Sequence, residues 1–398
     1  MPIRKILIVL FSFIAFTFYS CKENPRNFNS NLLGPDQINL VNLDSFVAGL
    51  TQNSASFKTV VKTGAANTLI LGNYTTKSGN IQQASILIRC DYSTISDSNK
   101  SDLVNGNAVV ADSWIVFTKT YAFGDTLANQ LNFGAYNINT SWTSSGFTSD
   151  SLSNFSYDNN DVSGQKTLAA DSTNICKVHI NGSAIQNEIT NYANSIQDNG
   201  LYLKPGSSGN TVWGFGSVTS AYPPALVVVL NKSGVIADTL YFNILNDVSV
   251  LSGDIISGAQ DIYLQPGLVG QSRVAFDMSI IPPGSIINQA KLLLTLDRSN
   301  TVNGTAFNSD ILCYNIADSA SKIIDSTMSF ATILQQDSVT YEGDITSFVQ
   351  KWVTNKMNQG LLLTPADGLD GMDIFAFKGS NSNNAFQRPR LLIFYTKK

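Results

Sequence analysis

Ile345-Thr346-Ser347-Phe348-Val349-Gln350-Lys351-Trp352-Val353, followed by Asn358-Gln359-Gly360-Leu361-Leu362-Leu363-Thr364-Pro365, sets apolar residues at i, i+4 and i+7, then a glycine, then a short apolar run closed by proline. That pattern predicts one amphipathic helix leading into a short strand. Ile185, Ile189, Tyr192 and then Asn199-Gly200-Leu201-Tyr202-Leu203-Lys204-Pro205 repeat it 160 positions earlier without a gap. One structural unit therefore occurs twice. In this reading Asp344 caps the helix start, Gly360 supplies a left-handed turn at its end, and Tyr192 takes the place of Trp352.

Further anchors recur in the same order. Asp44-Ser45-Phe46-Val47 matches Asp238-Thr239-Leu240-Tyr241, and Gly64-Ala65 matches Gly258-Ala259. Arg89-Cys90-Asp91 matches the end of Arg273-Val274-Ala275-Phe276-Asp277. Ser113-Trp114-Ile115 matches Ala290-Lys291-Leu292, Tyr136-Asn137-Ile138 matches Tyr314-Asn315-Ile316, and Pro224-Ala225-Leu226 matches Pro389-Arg390-Leu391. At 398 residues with only 14% charged side chains, short apolar runs and many polar turn formers, the chain reads as all-β, two tandem sandwiches each with one short helix. The boundaries that follow are a leader at 1–20, Cys21 with a polar tether over 21–37, a first domain at 38–233 and a second at 234–398.

The leader has Arg4 and Lys5, an apolar run from Ile6 to Phe18, and Ser20 before Cys21. This is a secretory signal. The cysteine at its end resembles the lipidation site of bacterial lipoproteins, which implies acyl chains on Cys21 and membrane attachment without a spanning helix. The stretch Arg273 to Leu294, with Val349, Trp352, Asn358-Gln359-Gly360-Leu361 and Arg388-Pro389-Arg390-Leu391, resembles DNRLRE-type domains over about Ile262 to Tyr395. Those domains are jelly-roll-like sandwiches found as accessory, often carbohydrate-associated, modules. Their tryptophan-containing segment has no counterpart between Ser326 and Glu342. The whole chain also looks like uncharacterised lipoproteins of Bacteroidota, which implies an outer-membrane location, at the cell surface or on the periplasmic face.

Chemistry is sparse. The net charge of −4 gives no footprint for nucleic acid. The one histidine, His179, sits in an alternating run that points it outward with Lys177. The three glutamates, Glu23, Glu188 and Glu342, form no repeated pair of the kind glycoside hydrolysis requires. No phosphate loop, zinc spacing or nucleophile elbow is present. The expectation is a protein with no catalytic residue, no cofactor and no metal. Asp367, Asp370 and Asp373 have the oxygen chemistry for calcium, but Asp-Gly pairs are turn formers first. Cys90, Cys176 and Cys313 are odd in number, with a Cys90 to Cys176 bridge left open.

Between the Tyr136 and Gly200 anchors the first copy spans 64 positions against 46 in the second. The 18-residue excess carries Trp142 and Tyr157 among polar residues, the composition of a sugar-stacking loop. The sequence reading therefore assigns ligand binding to Trp142 and Tyr157. It expects a non-catalytic surface module with a glycan as partner, the alternatives being an adhesion protein that binds another protein and, last, a polysaccharide-degrading enzyme. Seven Asp-Ser or Asp-Thr pairs, among them Asp171-Ser172 and Asp325-Ser326, resemble acceptors for O-glycosylation and equally form turns.

Overall fold

The computed structural model describes residues 39–397 apart from Ser208, Ser233, Gly234 and Lys356. The leader, Cys21 and the tether lie outside the described residues. The chain is all-β, built as two jelly-roll-like sandwiches with three α-helices among the described residues: α1 (Asp97–Val104), α2 (Gly182–Ala193) and α3 (Thr346–Asn355).

The N-terminal sandwich runs in sheet order Val235–Ser252, Ala225–Lys232, Ala108–Gly124, Thr211–Gly216, Thr68–Thr75, Ile81–Cys90, Leu201–Pro205, Gln130–Ile138 and Tyr157–Asp161. The C-terminal sandwich runs Asn39–Asp44, Arg390–Lys397, Ile286–Thr295, Thr340–Asp344, Ala331–Gln335, Ile311–Asp318, Leu361–Pro365, Gly270–Phe276 and Gln52–Lys58. Each encloses its own apolar core, with Trp213 and Phe117 in the first and Trp352 and Phe377 in the second, all almost fully buried. Each such side chain contributes about 1.5–3 kcal/mol by leaving water.

The repeat and the sandwiches do not share boundaries, so the 38–233 and 234–398 division needs correction. Copy one's opening strands belong to the C-terminal sandwich: Asn39–Asp44 pairs with Arg390–Lys397, and Gln52–Lys58 with Gly270–Phe276. Copy two's opening strand belongs to the N-terminal one, pairing along its first half with Ala225–Lys232 and along its second with Ile81–Cys90. The physical reason is local. Lys232 pairs with Val235 three positions on, so antiparallel pairing with the strand just before it closes a short loop and is entropically cheap. In the C-terminal sandwich the first 20 described residues cover the edges that would otherwise stay open. Arg390 clamps that closure, with Nε 2.8 Å from Asp44 Oδ1 and a second bond from Nη2 to Oδ2. Ser45 adds a backbone bond of 2.9 Å to the Leu391 carbonyl, and its hydroxyl accepts from the Leu391 amide at 2.8 Å.

The helix alignment also shifts. Val110 N–H donates to Gln186 Oε1 at 3.2 Å and Ile287 N–H to Gln350 Oε1 at 2.8 Å, so Gln186 matches Gln350. The copies align one helical turn away from the gapless reading. Ile185 and Ile189 match Val349 and Val353, Glu188 occupies the place of Trp352, and Tyr192 is 40% exposed rather than core. Asp344 does cap α3, accepting the Thr346 amide at 2.8 Å. Gly200 and Gly360 do have left-handed backbone, at φ 76° and 93°, but they lie beyond the helices and also permit a close approach of strands. A Cβ on Gly200 would stand 2.1 Å from the Ile88 carbonyl oxygen, and one on Gly360 would stand 2.9 Å from that of Val274. The first sandwich carries a second helix that the reading of one per sandwich misses: α1, capped by the Ser96 hydroxyl, which accepts from the Asn99 amide.

A third apolar cluster joins the sandwiches, including Tyr121, Phe123, Tyr263, Met372 and Ile374. Tyr121 Oη donates to Asp373 Oδ2 at 3.1 Å and accepts from the Met372 amide at 3.0 Å. Asp370 accepts from the Thr68 amide and Asp367 from Asn308. The three carboxylates thus serve three separate partners. Cys90, Cys176 and Cys313 are all buried and free, so the open bridge between the first two is not formed.

Arg390 holds the Asp44 carboxyl below its usual range through its hydrogen bonds. Replacing Asp44 with Ala is expected to destabilise the C-terminal sandwich by about 1–2 kcal/mol near neutral pH. Because the folded value is the lower one, that difference should fade as pH falls below about 4. Calorimetric scans at pH 7 and pH 3 check both parts.

Candidate functional site

On the N-terminal sandwich, strands Ile175–His179, Ala108–Gly124, Ala225–Lys232 and Val235–Ser252 lie side by side. Alternation sends Ile115, Phe117, Cys176, Val178, Leu226, Val228 and Phe242 into the core. The other faces of the same strands look outward. The register then lines up His179, Trp114, Val227 and Tyr241 as one row across four strands. Tyr241 is 70% exposed, and Val227 forms a buried floor between it and Trp114. Two strand spacings separate the two rings' backbones, about 10 Å. Lys177 Nζ sits 5.3 Å from the Trp114 ring, and the His179 ring lies 5.6 Å from it. His179 Nδ1 is 3.3 Å from Asp112 Oδ1, and Asn243 and Thr239 flank Tyr241 on its strand. The face therefore offers aromatic surface with hydrogen-bonding groups at its margins.

The same lattice points in the C-terminal sandwich carry different chemistry. The corresponding row reads Asp344, Lys291, Leu392, Asp44. Lys291 is paired with Glu342 at 2.6 Å and Asp44 with Arg390. One copy seals this face with ion pairs and the other presents rings. By this register Asp44 corresponds to Tyr241, three residues along from the sequence match with Asp238.

Trp142 and Tyr157 need correction. Trp142 is 6% exposed, packs edge-on to Phe147, and donates its indole N–H to the Asn199 carbonyl at 2.8 Å. Tyr157 packs against Tyr202 and Tyr136 while its hydroxyl accepts from Lys204 Nζ at 3.0 Å. The 18-residue excess folds back over the sheet and covers apolar residues such as Val248 and Val250, because the aromatic side chains gain more from that contact than from water. The residues missed, Trp114 and Tyr241, carry a faint signal in sequence: an aromatic on the outward phase of an alternating strand. Their adjacency depends on register between strands 127 positions apart. Turn geometry accounts for several Asp-Ser and Asp-Thr pairs: Asp171, Asp318, Asp325 and Asp337 each accept backbone amides just ahead of them.

Below the row, Glu188 is 5% exposed and its Oε2 accepts from the Tyr92 hydroxyl at 2.5 Å. Its Oε1, Asp198 Oδ2 and Arg89 Nε are buried without partners. Burial, and then the nearby Asp198 charge, push the Glu188 carboxyl well above its ordinary value.

No family model matches the chain, and no curated protein matches it. The DNRLRE likeness over 262–395 is therefore one of motif alone. A solved chain titled BspA_C_WT aligns with 83% of this chain and 90% of its own length, at 9% identity and a TM-score of 0.18, a value that establishes no common fold.

A carboxyl whose folded pKa is raised stabilises the fold fully below its unfolded value and loses that contribution as pH climbs. Glu188→Gln keeps the acceptor for Tyr92 without the charge. It is expected to stabilise the N-terminal sandwich by about 1 kcal/mol or more at pH 8 and to have little effect near pH 4, read as melting temperature at both.

Proposed function

We propose that the chain is a non-catalytic binding module of the bacterial envelope, held by acyl chains on Cys21, whose outward sheet face on the N-terminal sandwich binds a glycan. The row Tyr241, Val227, Trp114, His179 is the observation that carries this reading, because it displays rings where the sister sandwich displays paired charges. A sugar ring presents C–H groups to an aromatic face and hydroxyls to its edge, which suits Trp114 and Tyr241 with Asn243, Thr239 and Lys177 around them. Hydrolysis of a glycosidic bond calls for two opposed carboxyls, and among the described residues of this row and its flanks Asp112 supplies one. Strand pairing also bears on the attachment. The chain leaving Cys21 enters the C-terminal sandwich first, at Asn39–Asp44, so in this reading that sandwich is the one tied most directly to the membrane.

A protein partner is the second reading, favoured by two exposed apolar side chains of the same sandwich, Leu245 at 52% on the strand of Tyr241 and Tyr222 at 56% in the loop before Ala225–Lys232. A glycan array with the soluble chain from residue 38 separates the two. Trp114→Ala and Tyr241→Ala should each weaken glycan binding about fivefold or more, near 1 kcal/mol, with the fold intact. Trp142→Ala should instead lower stability by about 3 kcal/mol. Glycan binding indifferent to both Trp114 and Tyr241 would remove the proposal.

A further inference from the structure

At the helix-closed end of the C-terminal sandwich, a cavity of about 460 Å³ opens between α3 and the turn that follows strand Gly270–Phe276. Met278, Ile281, Trp352 and Val353 form apolar walls. Most polar atoms around it are already engaged. Trp352 Nε1 donates to Asn315 Oδ1 at 2.7 Å, while Asn358 donates to the Phe276 carbonyl at 2.7 Å and accepts from the Gly360 amide at 3.0 Å. Asp277 is the one charged residue of the lining, and its Oδ1 accepts from the Ser279 amide at 2.9 Å. That bond holds the carboxyl below its ordinary range, so it is ionised at neutral pH. No ion pair ties Asp277 to another described residue.

The N-terminal sandwich has the same turn with the slot filled. Ser93 N–H donates to Asp91 Oδ1 at 2.9 Å, as Ser279 does to Asp277. Tyr92 stands where Met278 does and is bonded to Glu188, which holds the place of Trp352. Helix α1 then packs on α2, with Leu103 only 2% exposed. In the C-terminal sandwich Pro282-Pro283-Gly284-Ser285 replaces that helix, and the space stays open.

We propose that this slot binds a small organic cation, an alkylammonium whose head meets Asp277 and whose chain lies among Met278, Ile281 and Trp352. Apolar walls with one carboxylate at the mouth that has no ion pair among the described residues discriminate by charge: an amine gains a charge-assisted hydrogen bond, an alcohol of equal length gains only the burial, and a carboxylate is repelled. The site is separate from the sheet face and does not depend on glycan binding there.

The test is an NMR titration of the full soluble chain, labelled at methionine methyls, with n-hexylammonium, n-hexanol and hexanoate. The Met278 signal should shift saturably with hexylammonium, about tenfold more weakly with hexanol, and not with hexanoate. Asp277→Asn retains the acceptor that organises the turn and should reduce hexylammonium to the level of hexanol. Met278→Tyr, copying the filled slot, removes that reporter, and calorimetry of this variant should show binding of both hexylammonium and hexanol lost. A lysine-containing peptide run alongside should bind less tightly than hexylammonium, and stronger binding of the peptide would overturn the small-molecule assignment. Equal affinity for amine and alcohol, any comparable response to hexanoate, or an Asp277→Asn protein that binds the amine as before would overturn the proposal.

Discussion

The structure depends on the pairing of Asn39–Asp44 with Arg390–Lys397, which brings the first and last described strands of the chain together. A sandwich with an unpaired strand edge leaves backbone donors and acceptors open to other chains. The N-terminal sandwich meets this need with the strand that comes next in sequence, whereas the C-terminal sandwich meets it with the first described strand of the chain. The chain resolves the difference by starting in the C-terminal sandwich and crossing over before Thr68. Asp44 and Arg390 fix the register of that closure with a bidentate bond, partly shielded from water.

Joining the ends in this way leaves the two copies equivalent in frame and free to differ in surface. At matching lattice points one carries Trp114 and Tyr241, the other Lys291 and Asp44. At matching helix ends one is filled by Tyr92, Glu188 and α1, the other is hollow beside Trp352. The backbone bonds that define the frame recur in both: Ile138 to Gly200 at 3.0 Å and Ile316 to Gly360 at 3.1 Å, Ile180 to Ser113 at 3.0 Å and Ile345 to Ala290 at 2.9 Å. Conserved hydrogen bonding with divergent side chains lets one scaffold present two kinds of surface.

The sandwiches are also fixed to one another. Tyr121 reaches across to Asp373 and the Met372 amide, and Gln82 and Gln265 exchange amide hydrogen bonds at 3.1 and 2.7 Å within a buried apolar seam. The acidic run Asp367 to Asp373, which resembles a cation loop when read as sequence, sits beside that seam, with Asp370 and Asp373 bonded across it. Buried polar groups with partners on both sides specify how the halves meet, since any slip would strand them.

Composition, alternation and the recurring anchors were enough to establish an all-β chain made of one unit twice, since strand phase and helix stripes are local properties of a sequence. The stripe of Phe348, Val349, Trp352 and Val353 is buried as its spacing requires. Local pattern does not report which strand lies beside which. It therefore could not show that residues 39–58 complete the far sandwich, that Glu188 rather than Tyr192 matches Trp352, or that Trp142 turns inward while Trp114 and Tyr241 share an outward row. Those outcomes were decided by tertiary structure, because edge pairing and side-chain burial are settled between segments from about 60 to more than 300 residues apart, where only the folded register brings them within reach.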